Sequence, residues 1–278
     1  MRTLVQRLFR WIGFEIRRYR TDGAADRQHA RDSLKGVLEQ VKETGFAPAT
    51  VIDVGAAMGS FTKTCYNFFP DAHYLLIEPL KEYLPALTKV VQAIPRATYE
   101  IKAASASEDS VVLNVHEDLV GSSLYREMEE DSGVNGLPRQ VPAVTIDELV
   151  SQRRAQRPFL IKVDVQGAEL DVLSGAKTTL GQAELVLLEV SLFEFFRGAP
   201  LLGEVVAFMK AHGFVPYDVL GLQYRPIDGA LSQLDIVFVK EQGAFRKVHA
   251  YATAEQRRAQ NQEYRSYLLN VLSAERVP

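Results

Sequence analysis

An α/β sandwich around a mostly parallel sheet is the fold this sequence predicts, and three observations predict it. Short apolar runs alternate with segments of helical spacing over residues 31–242. The first run, Val51 to Val54, breaks into Gly55-Ala-Ala-Met-Gly59 and passes straight into a helical segment through Phe61, Cys65 and Phe68. Acids then fall near the ends of four runs, at Asp53, Glu78, Asp164 and Glu189. In an open parallel sheet those positions belong to the carboxyl edge, where ligands bind.

The chain begins with MRTLVQRLFRWIGFEIRRYR, whose six arginines interrupt every apolar stretch. That pattern excludes a secretory signal and predicts a basic amphipathic helix, either docked on the domain or lying in an anionic membrane interface through residues 1–20. Residues 21–30 read as a polar linker, so residues 1–30 form an N-terminal segment outside the main domain. Ser33 to Lys42 places Leu34, Val37, Leu38 and Val41 at helical spacing, with Gly45 positioned to end the helix.

Gly55 and Gly59 are separated by three residues, which differs from the G-x-G-x-x-G of dinucleotide sites, and no P-loop lysine follows. A nucleotide triphosphate is thereby disfavoured, and Asp53, Gly55, Ala56 and Gly59 are expected to shape a cofactor site at this turn. The run HYLLIEP forms a second strand. Its Glu78 stands where an acid accepts hydrogen bonds from both ribose hydroxyls of a nucleoside, and Pro79 ends it before a helix over Tyr83 to Val91. A third strand, Thr98 to Ser105, brings Ala104 and Ser105 beside the base.

Val111 to Asp118 alternates apolar and polar residues, which predicts an antiparallel addition. A long surface loop follows to Gln140, expected to act as lid or substrate contact, with His116, Ser122 and Ser123 on the acceptor side. VPAVTIDELV supplies a short strand and then a helix capped by Thr145, with Glu148 three residues on. Leu160 to Val165 is an apolar strand carrying Lys162 and Asp164, charges that are costly inside a sheet unless paired or placed at a strand end. It breaks at Gly167 into a helix through Leu170, Val172 and Leu173. Ala183 to Ser191 is the next strand, followed by the helix LLGEVVAFMKAHGF and by FVPYDVLG and QLDIVFVKE, which close the sheet as an antiparallel pair. Residues 243–278 form a C-terminal helical extension that packs either on the domain or against a second copy as a homodimer.

With 278 residues, 47% of them hydrophobic, the chain can bury a sizeable core. A net charge of −3 with 24% charged residues argues against a general nucleic-acid surface. One cysteine excludes an internal disulfide and a multi-cysteine metal site, and fits a reducing compartment. No apolar run is long enough to span a bilayer, so the expected location is the cytoplasm or the inner face of a membrane.

The stretches VIDVGAAMGSFT, LLIEP, Gly121 to Ser123 and above all IKVDVQGAELDVLSGA resemble the FkbM family of S-adenosylmethionine-dependent methyltransferases. The last is similar to the family pattern K-[IV]-D-[VI]-E-G-x-E-x-x-V-L-x-G, with Lys162, Asp164, Gly167, Glu169, Leu173 and Gly175 in register. Gln166 stands where the family most often has glutamate. This resemblance implies a class I methyltransferase (Rossmann-like) three-layer sandwich with a seven-stranded sheet, order 3-2-1-4-5-7-6, strand 7 antiparallel. It also implies S-adenosyl-L-methionine as cofactor and O-methylation of a hydroxyl on a sugar, polysaccharide or polyketide-like small molecule. Asp164 is then expected to touch the cofactor and to act as general base or orienting carboxylate, with Glu169 also serving chemistry and Glu189 on the acceptor side. A competing expectation has Asp164 and Glu189 holding Mg2+, although two carboxylates are few ligands for it. Two rival functions stay open: a non-catalytic, methyltransferase-like scaffold for glycan assembly at a membrane, and a Rossmann oxidoreductase, which the absent third glycine weakens.

Overall fold

The computed structural model describes residues 29–107, 109–129 and 132–274, so the basic segment expected at residues 1–20 and most of its linker lie outside the described residues. Helix α1 (Leu34–Glu43) starts at Ser33, whose Oγ accepts the Gly36 N–H at 3.2 Å, satisfying one of the helix's orphan donors. Strand β1 (Thr50–Val54) runs through the Gly55 turn into α2 (Ser60–Tyr66). Strand β2 (His73–Ile77) leads to α3 (Leu84–Ala93) and β3 (Ala97–Glu100). The chain then leaves the sheet for β4 (Ala103–Ala104), β5 (Ser110–Val115), the single turn α4 (Ser132–Asn135) and β6 (Leu137–Val144). It returns through α5 (Ile146–Arg153), β7 (Phe159–Val163), α6 (Glu169–Ser174), α7 (Lys177–Gln182), β8 (Ala183–Ser191), α8 (Leu202–Ala211), β9 (Phe214–Tyr224) and β10 (Leu231–Lys240).

The main sheet has seven strands in the order β3-β2-β1-β7-β8-β10-β9, which is 3-2-1-4-5-7-6 when its strands are counted along the chain. All neighbours are parallel except β10, which is antiparallel to both β8 and β9. Every residue of β1 and β7 is buried, because helices cover both faces and leave no wet side. One face packs Ile52, Val54, Ile161 and Val163 under α5 to α8, through Ile146, Leu149, Val172, Leu180, Val205 and Met209. The opposite face packs Val51, Leu76 and Leu160 under α1 to α3, through Val37, Leu38, Val41, Phe61, Cys65, Leu87 and Val90. These are the three layers of a class I methyltransferase-like fold.

The expected third strand from Thr98 to Ser105 is in fact two. β3 ends at Glu100, and Ala103–Ala104 pair instead with β6 in a separate three-stranded sheet, β4-β6-β5. β5 is antiparallel as expected, with β6 as its partner. Since β6 begins at Leu137, it shortens the loop that the sequence extends to Gln140. A small core of its own holds this sheet, formed by Leu80, Ala103, Leu113, Val115 and Val141. The Thr145 cap forms as expected, its Oγ1 accepting the Glu148 N–H at 3.1 Å.

Residues 29–248 make one compact unit. Helix α9 (Ala254–Ala274) lies in the other and, taken by itself, exposes Tyr264, Tyr267, Leu268, Leu269 and Leu272. Among the described residues no helix is long and apolar enough to cross a membrane.

Candidate active site

The parallel strands end on a turn that only glycine can make. Gly55 has φ +70°, and a Cβ there would lie 1.9 Å from the Asp164 carbonyl oxygen, so the turns after β1 and β7 touch backbone to backbone. Gly59 is also left-handed; it starts α2, and a Cβ there would meet Val90 Cγ2 at 2.7 Å. Between them Ala57, at φ +45°, aims its N–H at Glu78 Oε2, 2.8 Å away.

A cavity of about 390 Å³ opens at this edge. At one end Glu78, Pro79, Leu80, Tyr83 and Ala104 line it, and Leu113, Leu119, Ser122 and Leu124 roof it. Glu78 is almost wholly buried; its Oε1 accepts the Leu80 N–H at 2.9 Å while Oε2 takes that of Ala57. Burial pushes its pKa upward, against the pull of those two N–H groups and of Lys162. Each oxygen keeps a second lone pair for a ligand.

Lys162 and Asp53 are register partners on β7 and β1, which resolves the cost of placing charges in buried strands. The Lys162 ammonium donates to the carbonyls of Gly55 at 3.0 Å and Val54 at 3.3 Å, and lies 3.6 Å from Asp53 Oδ1 and 3.3 Å from Asp164 Oδ2. Asp53 Oδ2 accepts from the Thr62 hydroxyl at 2.7 Å. Burial disfavours the cation, but Asp164 and Asp53 outweigh it and raise the Lys162 pKa, so the ammonium stays charged. Lys162→Met leaves Asp53 buried without its counter-charge and should cost about 3–5 kcal/mol in denaturant unfolding. A loss below about 1 kcal/mol would mean that the Lys162–Asp53 pair contributes little to the fold.

Past Asp164 the chain turns through Gln166, at φ +55°. Its Nε2 donates to Asp164 Oδ1 at 3.0 Å and to Glu189 Oε2 at 2.9 Å, bridging the two acids. Glu189 also accepts from Gln233 Nε2 on β10 at 3.1 Å and from Gln223 Nε2 on β9 at 3.2 Å. Burial first, then repulsion from Asp164, Glu169 and Asp235, pushes Glu189 up to about 8, and burial with Asp164 takes Asp235 up to about 6. The fold thus favours protonated Glu189. Its contribution to stability is complete below the ordinary carboxyl value of 4.5 and is lost as pH rises toward about 8. Glu189→Gln should therefore gain stability over the native chain by up to about 1.4 kcal/mol per pH unit between about pH 5 and pH 8. Denaturant titrations across that interval check it, and a pH-independent difference would show that Glu189 folds ionised.

Of the residues singled out from sequence, Gly55, Glu78, Pro79, Ala104, Ser122, Asp164 and Glu189 line this one cavity. Asp53 lies beneath it on Lys162, and Ala56 faces a neighbouring hollow on the far side of the Gly55 turn. Gly59 packs on Val90. The Ser105 hydroxyl accepts the Ser107 N–H at 3.2 Å. Three others, Glu169, Ser123 and His116, stand outside its lining. Glu169, expected in the chemistry, is buried and accepts the N–H groups of Val165 and Gly167 at 3.2 Å each, so it shapes the loop that carries Gln166. Burial, opposed by those bonds, lifts its carboxyl to about 7. Ser123, expected on the acceptor, is fully buried and donates to the Gln166 carbonyl at 2.6 Å. His116 borders another hollow with Leu137 and Arg139, its Nδ1 3.7 Å from Glu127. Tyr83, Gln223 and Gln233 line the cavity without having been singled out. Among the described residues no three His, Cys, Asp or Glu side chains are grouped to hold a metal ion.

The model of the methyltransferase FkbM domain matches residues 53–216. Over 165 residues the chain is 22% identical to the hexuronic acid methyltransferase AglP of Haloferax volcanii, a match covering 59% of this chain and 64% of that protein, just under two thirds of its length. Among solved structures it is similar to the FkbM methyltransferase of Methylobacillus flagellatus KT, with 17% identity and a TM-score of 0.43 over 68% of this chain and 43% of that one. It is also similar to the Burkholderia thailandensis 1,6-didemethyltoxoflavin-N1-methyltransferase solved with S-adenosylhomocysteine, with 12% identity and a TM-score of 0.37 over 74% of this chain and 76% of that one.

Proposed function

Because this chain belongs to the FkbM methyltransferase family, we propose that it is an S-adenosylmethionine-dependent O-methyltransferase acting on a sugar hydroxyl. One observation carries the reading: Glu78 and Asp164 line a single cavity from the ends of β2 and β7, which stand on either side of β1, two strand spacings or about 10 Å apart. The lining also fits the cofactor, since Glu78 offers free lone pairs to a ribose while, among the described residues, no lysine, arginine or histidine lines the cavity to hold a phosphate. When bound, S-adenosylmethionine supplies an electrophilic methyl group.

The protein's own work is positional, as in-line transfer requires. Glu78 binds the ribose hydroxyls, and Leu80, Tyr83 and Ala104 flank the base. The roof of Leu113, Leu119 and Leu124 excludes water. Asp164 orients the acceptor hydroxyl and accepts its proton, while Lys162 and Gln166 each hold one of its oxygens and so fix its rotamer. The sugar hydroxyl is supported by the similarity to AglP, named for hexuronic acid methylation.

Thermal unfolding with S-adenosylhomocysteine tests the reading. At one hundred times Kd the ligand adds about 2.7 kcal/mol, which raises Tm by about 5–10 °C in a domain of this size, and NAD should leave it unmoved. A Tm unmoved by S-adenosylhomocysteine would sink the enzyme and favour the scaffold.

A further inference from the structure

The end of the cavity away from Glu78 is built from four side chains: Gln166, Glu189, Gln223 and Gln233. All three amides turn their nitrogens to the Glu189 carboxyl, at 2.9, 3.2 and 3.1 Å respectively. Even protonated, Glu189 has a single O–H to give, so an amide oxygen in more than one of those places would face an acceptor, and Glu189 itself favours this orientation. The second N–H of Gln166 goes to Asp164, and that of Gln233 points at Ser191 Oγ, 3.5 Å away. Among the described residues no group donates to the three amide oxygens. The wall is therefore rich in acceptors, namely those amide oxygens and the lone pairs left on Asp164 and Glu189, against one spare N–H on Gln223 and the O–H of protonated Glu189.

Charge points the same way. Among the described residues no lysine, arginine or histidine lines the cavity. Lys162 is committed to Val54, Gly55, Asp53 and Asp164, and Arg225, two residues beyond Gln223, is committed to Asp228 and the Phe193 ring. Asp235 adds a further acid behind Glu189 on β10. We propose that this end is the acceptor subsite and that it takes a polyhydroxylated ring bearing no anionic group. Ring hydroxyls supply the donors the wall lacks. A carboxylate or phosphate supplies none and meets like charge at Asp164. Burial and the acids Asp164, Glu169 and Asp235 already disfavour a negative charge at Glu189, and a ligand anion would be disfavoured there for the same reasons. The inference rests on the methyl-transfer reading and narrows its substrate to neutral rings.

The test uses the protein loaded with S-adenosylhomocysteine and matched ligand pairs: methyl glucoside against methyl glucuronoside, and methyl galactoside against methyl galacturonoside. Calorimetry and saturation-transfer NMR read binding, and S-adenosylhomocysteine release from S-adenosylmethionine reads turnover. A neutral ring should bind on the order of ten-fold more tightly than its uronate, and Gln233→Leu should weaken it by a similar factor with the Kd for S-adenosylhomocysteine unchanged. If Gln233→Leu does not fold, Gln223→Ala at its exposed position carries the same expectation. Three results each overturn the proposal and leave the transferase standing: uronates binding as well as neutral rings, none of the four glycosides binding, or both variants keeping native affinity. A protein that takes up no S-adenosylhomocysteine overturns the reading beneath it.

Discussion

Asp164→Asn lowers methyl transfer by about 100- to 10,000-fold, the usual range for a positioned acid or base, while S-adenosylhomocysteine still binds within a few-fold of the native chain. The substitution keeps the volume of the side chain and removes its charge and basicity. It also puts an amide NH2 against one of the two donors, Lys162 or Gln166, that now hold the carboxylate oxygens. The carboxamide therefore turns or is pushed aside, and the acceptor hydroxyl loses both its orienting partner and its proton acceptor. Rates of S-adenosylhomocysteine release with the best neutral glycoside, set beside calorimetric cofactor affinity, check this. Turnover within about three-fold of native would place proton acceptance on another group, with Glu189 the adjacent candidate.

Glu78→Ala should cost more than affinity. Two charge-assisted hydrogen bonds to the ribose at about 1.5–3 kcal/mol each predict a loss of 100-fold or more in S-adenosylhomocysteine binding. The same carboxylate holds the N–H groups of Ala57 and Leu80 on two different loops, and removing it orphans both. Unfolding should therefore be easier by about 2–4 kcal/mol, and calorimetry is best run well below the lowered Tm. A folded variant with unchanged affinity would remove Glu78 from the ribose site.

The strands of the main sheet were legible because each carries a local signature. Val51 to Val54 and Ala183 to Ser191 are mostly apolar runs, as buried parallel strands require, and the acids near their ends, Asp53 and Glu189, mark the carboxyl edge. The break within Thr98 to Ser105 was not legible, since a two-residue strand such as Ala103–Ala104 has no period and owes its place to β6, more than thirty residues later in the chain. Lys162 could be flagged as a charge in need of a partner, but naming Asp53 requires the register between β1 and β7. Gln223 and Gln233 carried no signal at all: each is one polar residue near a strand end, and only the reversal of β10 between β8 and β9 brings both to the edge where Glu189 stands. The glutamine at position 166 reads in the sequence as a lost carboxylate. In the fold it is a gained donor, because an amide can tie Asp164 to Glu189 where a third acid would repel both.

The bond from the Ser123 hydroxyl to the Gln166 carbonyl joins the segment beneath the roof to the loop whose amide clasps the two acids. The roof segment and the clasp on the acid pair thus share one anchor, and a single hydroxyl keeps both in register.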